Sequence, residues 1–423
     1  MSAVADHCIH IESELGVPTV PLIISEFHDL VKLQSKKKGM PGLRVTYLIS
    51  PVWGKRAERL RKEILDKSPV SGKMIAQEIV ENLTRPLTAE EKKTGTIQQF
   101  AGPERFTDTP ENLRRYFMDN RMTDYMPIIL PTEEKVAEML KGTSHQPDEM
   151  VGKMAAHTSL PFDKMEVFEH WSYTVKTVAV NAVMAGMRPE YLPVLLAIAS
   201  TGKEGLSVSD NSFTEMLVIN GPIRDEIKLN YGIGAMGPFS RANSTIGRAW
   251  NLLSLNAGNC GRVGTTYMGV VGNPMNWNNI IIAENEEDSP WLPFHVRHGY
   301  NPTDSVVSLF EGWGIISAKN SKFSKWTQEP DFPGAVKRIL NDQDMLFGAT
   351  AVLSPVVARF VKEAGFNSVD KFTRWIMEPE EGQWPNFRSA RDINIIVTGG
   401  LNNNYWSYGG MRYFQSVPID KWR

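Results

Sequence analysis

Apolar residues along this chain recur in two spacings, as short continuous runs and as helical periods. Residues 17–24 and 43–49 form apolar runs that predict strands. Between them, an amphipathic stretch opens at Ser25, a residue suited to capping a helix, and ends at Gly39. A strand, a helix and a strand at this spacing predict a parallel pair joined by a right-handed crossover.

The same alternation continues through the middle and the end of the chain. Apolar runs predict buried strands at residues 216–219, 279–283, 346–353 and 393–397. Helical periods or start signals predict helices at residues 56–66, 173–187, 240–256 and 369–377. Ser354 and Pro355 predict a further helix with proline at its first position. The pattern therefore predicts an α/β fold.

Glycine and proline divide the chain. Residues 85–110 form a polar stretch with several of these residues, which predicts a linker. We expect an N-terminal α/β segment over residues 1–105, a central domain over residues 106–325 that carries the site, and a C-terminal α/β segment over residues 326–423. Because the two terminal segments share a strand-loop-helix order, they are expected to form parallel sheets, with one shared sheet as a hypothesis.

Composition narrows the classes of partner. The 46 basic and 48 acidic residues give a net charge of −2, which does not favour a nucleic acid or a membrane surface. No apolar stretch approaches the ~18 residues of a membrane span. Two cysteines make no disulfide framework, so a cytoplasmic protein is expected. The 11 tryptophans and 19 methionines fit a core and the interface of a homo-oligomer, or else an apolar substrate pocket.

Candidate chemistry collects where the central apolar runs stop. Glu284 and Glu286 follow a predicted strand, and His295 lies nearby in sequence. Carboxylates crowded beside an apolar wall repel each other and lose solvation, which raises a pKa toward the range of general acid/base catalysis. Histidine could be the complementary partner. The alternative is a solvated acidic loop.

A second group predicts a site for an anion. Arg241 and Asn243 open a predicted helix, whose N-terminus favours anions, and Arg188 precedes a proline at a helix break. Arginine can bind a carboxylate or phosphate with two hydrogen bonds. Ordinary capping and surface ion pairs are the alternative. The sequence contains no Walker motif, and the glycines of residues 232–237 follow no long strand, so they are a weak dinucleotide signature.

Three asparagines complete the candidate substrate-binding residues: Asn220, Asn285 and Asn402. Asn220 and Asn402 lie in glycine-containing turns after predicted strands, and Asn285 lies between the two glutamates. An asparagine amide can polarise a carbonyl group, and glycine lets a ligand approach the backbone closely. Plain turn chemistry explains these residues equally well.

Thiol and metal chemistry are weaker expectations. Cys260 is the candidate nucleophile, because neighbouring glycines predict an exposed loop; a buried inert cysteine is the alternative. His295 and His298, with the glutamates, could bind a metal, but no specific metal-binding spacing is present and structural histidines are the alternative. We therefore predict no cofactor and no metal.

Several phrases of the sequence together resemble the UGSC-motif (seleno)protein family. They lie at residues 16–20, 180–191, 220–222, 241–248, 284–286, 289–291 and 420–422. That family is named for a selenocysteine- or cysteine-Gly-Ser-Cys motif just before its first strand. This chain has no Cys-Gly-Ser-Cys, and Cys8, near the expected place, has no partner cysteine. The resemblance implies the fold and the central pocket, but not the thiol or selenol redox role.

We therefore expect an enzyme of small-molecule metabolism that needs no redox cofactor. It would perform addition, elimination or hydrolysis on a compact polar or anionic substrate, with Glu284, Glu286 and His295 as acid and base. One alternative is a thiol-dependent oxidoreductase that uses Cys8, Cys260 or a motif on another subunit. The other is a non-catalytic binding or assembly subunit.

Overall fold

The structure is a computed structural model that describes most of the chain. The described residues are 2–49, 55–93, 97–100, 102, 105–154, 169–207, 212–320, 331–342, 348–379 and 386–423. All statements about structure below concern these residues.

The N-terminal segment is a small parallel β/α unit. Its elements are α1 (Ser2–Leu15), β1 (Leu22–Ile24), α2 (His28–Lys37), β2 (Thr46–Leu48), α3 (Ala57–Ile64) and α4 (Ile75–Thr84). Strands β1 and β2 pair in parallel, as the sequence predicts, although each is shorter than its apolar run. The two strands, α1 and α2 enclose a separate small core around Ile23 and Val31.

A second layer connects this unit to the large sheet. It comprises β3 (Ile97–Phe100), α5 (Pro110–Asp119), α6 (Glu133–Leu140), β4 (Met150–Met154) and β5 (Glu169–Thr174), with the three strands ordered β3-β5-β4. The threonines Thr109 and Thr132 cap α5 and α6 by accepting a hydrogen bond from the third backbone N–H of each helix. Strand β3 and the first residue of α5 fall within residues 85–110, the stretch that the sequence predicts to be a linker.

The main sheet has six strands in the order β10-β9-β11-β8-β6-β7. The strands are β6 (Thr214–Asn220), β7 (Ile280–Ala283), β8 (Val306–Asn320), β9 (Ala349–Leu353), β10 (Ile393–Val397) and β11 (Tyr405–Pro418). The pairs β6-β7 and β9-β10 are parallel, and the long strands β8 and β11 join these pairs by antiparallel pairing. The fold is therefore α/β with a mixed sheet.

Helices cover one part of the sheet on one face. They are α7 (Val175–Ala185), α8 (Leu192–Ala199), the short α9 (Ile223–Glu226) and α10 (Arg241–Ala257). Alternation along β6 points Leu217 and Ile219 into the core of these helices, and Met216 and Val218 into a second core. Gly247 lets α10 approach the backbone at Asn278, because a side chain there would collide with that carbonyl group.

The second core contains side chains from all six strands of the main sheet. It gathers Met216, Val218, Ile282, Phe310, Ile315, Val352, Ile396 and Met411, with Phe294 from the short helix α11 (Phe294–Arg297). The sheet also curls toward closure, because Asn285 after β7 donates a hydrogen bond to Val397 of β10, and Thr398 after β10 donates one to Ala283 of β7. The residues that follow these two edge strands consequently meet.

The C-terminal helices cover β9 and β10 on the face opposite the second core. They are α12 (Phe332–Asp342), α13 (Pro355–Glu363) and α14 (Val369–Met377). Ser354 caps α13, which has proline at its first position as predicted. Since β9, β10 and β11 pair with one another and with β8, the hypothesis that the two terminal segments share a sheet is wrong: β1 and β2 form a sheet of their own.

No helix in the described ranges has both the length and the apolar character that crossing a membrane requires.

Candidate active site

The candidate site lies where the two edges of the curled sheet meet. Asn285, just after β7, donates its backbone N–H to the carbonyl of Val397 in β10 over 2.8 Å. Thr398, just after β10, donates its hydroxyl to the carbonyl of Ala283 in β7 over 2.7 Å. These bonds satisfy backbone groups that an edge strand would leave unpaired. We name the group formed by Asn220, Glu284, Glu286 and His295 beside this junction the seam site.

Glu284 is the innermost acid of the seam site, with 1% of its surface exposed. Its Oε2 accepts hydrogen bonds from the backbone N–H of Phe294 over 2.6 Å and from Asn220 Nδ2 over 2.7 Å. Burial raises the pKa of Glu284, and the Arg297 guanidinium, 3.9 Å from Oε1, opposes this shift only in part. Glu284 is thus a carboxyl group whose environment favours the protonated form.

Glu286 is the outer acid of the seam site and reaches solvent. Its Oε1 accepts from the backbone N–H of Gly221 over 2.8 Å and from Asn220 Nδ2 over 2.9 Å, and lies 3.2 Å from Arg224 Nε. Its side chain is 13% exposed, and Oε2 has no hydrogen-bond partner among the described residues. One oxygen is anchored, while the other is free to accept a proton or a ligand.

Two buried side chains of the seam site, His295 and Asn220, have polar atoms without a hydrogen bond. Both ring nitrogens of His295, a residue with 0% exposure, have no partner in the described part of the chain, and neither has Asn220 Oδ1. His295 Nδ1 lies 4.0 Å from Glu286 Oε1, which is beyond hydrogen-bond distance. Leaving such groups unpaired costs about 1–3 kcal/mol each. Unpaired polar atoms concentrated beside two carboxylates make the seam site a candidate for ligand binding.

Two arginines that the sequence did not single out as site residues hold the acids in place. Arg224 donates Nη1 to the carbonyl of Glu284 over 2.6 Å and pairs through Nη2 with Glu287 over 2.9 Å. Arg297 donates Nη2 to the carbonyl of Ile395 over 2.7 Å, and burial lowers its pKa. Both sit on four-residue helices directly after predicted site residues, so proximity in sequence is the signal that could have identified them.

The two arginines predicted to bind an anion lie apart from the seam site. Arg188 is exposed, and its side chain makes no hydrogen bond or ion pair within the described ranges. Arg241 opens α10 and donates Nε to the carbonyl of Gly186 over 2.9 Å, which joins the start of α10 to the end of α7. Neither guanidinium forms an ion pair with the seam glutamates.

The remaining predicted asparagines have structural partners or lie at the surface. Asn243 is buried and accepts from the backbone N–H of Asn230 over 2.9 Å. Asn285 donates to the carbonyl of Gly399 and to Asp288, both over 3.1 Å, so it fastens the seam. Asn402 is exposed in the loop after β10. Of the predicted substrate-binding residues, only Asn220 forms side-chain hydrogen bonds with both seam glutamates.

Cys260 does not lie in the exposed loop that its glycine neighbours predicted. Its side chain is fully buried in the core beneath α7, α8 and α10, and the sulfur contacts the carbonyl of Gly258. Cys8 on α1 is partly exposed, and burial raises the pKa of its thiol despite a hydrogen bond from Thr19. A higher pKa leaves less of the reactive thiolate at Cys8, and the core encloses Cys260, so neither environment favours a nucleophile.

The histidines near the seam do not combine with the acids as metal ligands. His298 Nδ1 lies 2.8 Å from the carbonyl of Phe294, and its ring stacks on Phe294 with centroids 4.0 Å apart. Among the described residues, no group of three His, Cys, Asp or Glu side chains is arranged to hold a metal ion.

The sequence interpretation missed a buried charged cluster on the helix-covered face of the sheet. Lys203 Nζ lies 3.0 Å from Glu311, 3.2 Å from Glu215 and 3.4 Å from Glu204, and all four residues are at most 1% exposed. Glu215, Glu311 and Arg412 lie opposite one another on β6, β8 and β11. We name these five residues the Lys203 cluster. It lies near the start of β6, whereas the seam site lies at its end.

Comparison with known proteins gives one match. Residues 1–85 match the model of the UGSC family, which confirms that the chain is UGSC-like in this segment. The match includes Cys8 and residues 16–20, but none of the central phrases that also carry the resemblance. No curated protein and no solved structure matches the chain.

Proposed function

We propose that this protein is an enzyme of small-molecule metabolism that performs acid/base chemistry at the seam site. The reaction would be an addition, an elimination or a hydrolysis on a compact polar substrate. The catalytic groups would be Glu284, Glu286 and His295, with Asn220 binding the substrate. This chemistry needs no redox cofactor, because proton transfer between side chains and substrate leaves the oxidation state of the protein unchanged.

The observation that carries the proposal is the set of unpaired polar atoms on His295 and Asn220. A buried histidine normally has a hydrogen bond on at least one ring nitrogen. His295 has none among the described residues, although a carboxylate oxygen lies only 4.0 Å away. An arrangement that forgoes these bonds in the free protein favours a substrate or transition state that makes them.

The two glutamates are suited to opposite roles. Glu284 is enclosed and its pKa is raised by burial, so it can hold a proton and give it to a leaving group. Glu286 has a free oxygen near solvent that can take a proton from the substrate or from water. The amide of Asn220 donates to both carboxylates and sets the distance between them. In one cycle Glu284 gives one proton to the leaving group and Glu286 takes one from the substrate or from water, and proton exchange with solvent then restores both side chains.

A His295→Phe substitution separates a catalytic role from a structural one. Phenylalanine removes two unpaired polar atoms and keeps a flat ring, so we expect the free energy of unfolding to stay the same or to rise. Turnover should nevertheless fall at least about 100-fold, the lower range for loss of a general acid or base. Purified protein would be incubated with a small-molecule extract, and metabolites consumed by the wild type would be followed by mass spectrometry.

The parent protein and an exposed substitution, Glu363→Gln on α13, provide the controls. If His295→Phe consumed the same metabolites at the wild-type rate, the catalytic assignment would be wrong. If the substitution instead lowered the free energy of unfolding by several kcal/mol, His295 would be a structural residue.

We further propose that the protein is cytoplasmic and forms a homo-oligomer. Its two cysteines, Cys8 and Cys260, form no disulfide, which fits a reducing compartment. The loop between α10 and β7 exposes Val263, Val270, Val271 and Trp277, each by more than half of its surface. Neighbouring apolar side chains in solvent are typical of interaction surfaces, which supports an oligomer.

A further inference from the structure

We propose that the seam site recognises its ligand through hydrogen-bond donors: an amide, amine or hydroxyl group rather than a carboxylate or phosphate. This inference rests on the proposed function, because the ligand is taken to be the substrate. It goes further by naming the chemical group that enters the site.

The Asn220 amide is held in one orientation by the two glutamates. Its Nδ2 donates to Glu284 Oε2 over 2.7 Å and to Glu286 Oε1 over 2.9 Å. The reverse orientation would direct the amide oxygen at two carboxylates, so the network fixes which atom is nitrogen. Asn220 Oδ1 is therefore a buried acceptor without a donor among the described residues. A donor on a ligand that enters the site would satisfy it.

Further acceptors without a hydrogen bond surround this oxygen. Glu286 Oε2 is a free acceptor beside Asn220, since Oε1 takes the hydrogen bonds from Gly221 and Asn220 and the ion pair with Arg224. His295 offers one acceptor and one donor when its ring is neutral. The atoms of the site without a hydrogen bond are thus mainly acceptors. They would bind N–H or O–H groups, which a primary amide, an amine or a hydroxyl provides.

The guanidinium groups at the site already bind carbonyl and carboxylate oxygens of the protein. Arg224 donates hydrogen bonds to Glu287 and to the carbonyls of Gly221 and Glu284. Arg297 donates Nε to the carbonyl of Leu292 and Nη2 to that of Ile395, and Nη2 also lies 3.9 Å from Glu284 Oε1. An anion would meet the Glu286 carboxylate without an available positive partner, and like charges at short distance repel.

The ligand class can be tested with three small probes of similar size: acetamide, methylammonium and acetate. The protein is labelled with ¹⁵N-histidine, and the ring nitrogens are observed by long-range ¹H–¹⁵N NMR. The His295 signals are those absent from His295→Phe or, if that protein does not fold, from His295→Gln. We expect acetamide or methylammonium to shift these signals in a saturable manner. Acetate should bind at least about tenfold more weakly, because it leaves Asn220 Oδ1 unpaired.

Two substitutions on asparagine serve as a matched pair. Asn220→Ala should weaken the response to acetamide at least about tenfold. Asn112→Ala, at an exposed position on α5, should leave it unchanged. An equal response in both variants would show that the probe binds elsewhere and would overturn the inference.

The remaining outcomes distinguish the inference from the proposed function. Acetate binding as tightly as the other probes, or no shift of the His295 signals with any probe, would overturn the ligand class. Turnover that still depends on His295 would leave the proposed function standing in both cases. If acetamide bound as expected while His295→Phe retained full turnover, the proposed function would be wrong and the binding preference would stand.

Discussion

A Lys203→Met substitution is expected to lower the free energy of unfolding by about 3–5 kcal/mol at neutral pH, whereas Glu215→Gln should change it by less than about 1 kcal/mol. Lys203 Nζ lies within 3.4 Å of three carboxylates in the Lys203 cluster, where the four side chains are almost fully buried. Methionine has a similar shape but leaves these acids without the central positive charge. Removing one partner of a buried ion pair costs more than the pair itself contributes.

Glu215→Gln is the matched control within the same cluster. Burial raises the pKa of Glu215 well above its ordinary range, more than Lys203 can lower it. Burial therefore favours the neutral, protonated form of Glu215 in the folded protein, and glutamine has nearly the same shape and charge as that form. Glu311 behaves differently: burial alone would raise its pKa, but Lys203 and Arg412 outweigh this and hold it at about 2.

The pH dependence of stability follows from the sign of these shifts. The stabilisation from ionised Glu311 is present above its ordinary pKa of 4.5 and is lost as the pH falls toward about 2. In Lys203→Met, the acids lose their cation and their pKa values rise, so their burial becomes more costly as the pH increases. The difference in free energy of unfolding between the parent and Lys203→Met should therefore become smaller as the pH is lowered from 7 to 5.

Denaturant unfolding of the three proteins at both pH values measures these differences. The explanation is wrong if Lys203→Met is as stable as the parent at neutral pH. It is also wrong if Glu215→Gln is destabilised as much as Lys203→Met, because Glu215 would then be ionised.

The second large effect is expected in turnover: Glu284→Gln should lower it by about 100- to 10,000-fold. The glutamine carbonyl can still accept the hydrogen bonds that Glu284 Oε2 accepts from Phe294 and Asn220. The fold should therefore persist, while the proton that Glu284 would give to the leaving group is absent. Turnover of the metabolite identified with the wild type measures the loss.

The pH dependence provides an independent check on Glu284. Because burial raises its folded pKa above 4.5, its protonated form stabilises the folded state, and this advantage is lost as the pH rises through the raised value. Wild-type turnover should fall through the same range, as the acid loses its proton. The stability of Glu284→Gln relative to the wild type should increase with pH. Unchanged turnover in Glu284→Gln would limit Glu284 to fastening the seam.

Much of the fold could be predicted from periodicity, because many elements have one apolar face and a local start signal. The helices α10, α13 and α14 and the strand β10 lie within one or a few residues of their predicted positions. The prediction was weaker for β1, where only the last three residues of the apolar run are paired as a strand.

The long strands β8 and β11 were not predicted, although they hold the sheet together. Their pairing contains three register shifts, between Tyr408 and Gly409, between Gly409 and Met411, and between Tyr413 and Gln415. Each shift interrupts the alternation of apolar and polar residues that identifies a strand. Gly312 and Gly409 permit close approach of the paired backbones but resemble turn residues in sequence. Strands joined across long sequence separations leave little local signal.

The candidate site was predicted in part, and the difference is physical. Glu284, Glu286 and His295 are close in sequence, so their proximity to each other could be expected, and Asn220 joins them because β6 and β7 pair in parallel. Arg188 and Arg241 were expected to join the site from other helices, and packing between helices is not encoded locally. The segment around Lys203 has the composition of a solvated loop, and only tertiary contacts bury it.

The catalytic use of the seam site is tested most directly by the turnover of Glu286→Gln set beside Glu363→Gln, with purified proteins and the same small-molecule extract. Both substitutions exchange a carboxylate for an amide, but only Glu286 has an oxygen free at the seam. We predict that Glu286→Gln consumes the wild type's metabolites at least about 100-fold more slowly, and Glu363→Gln at the wild-type rate. Equal rates for the two variants would contradict an acid/base centre at the seam.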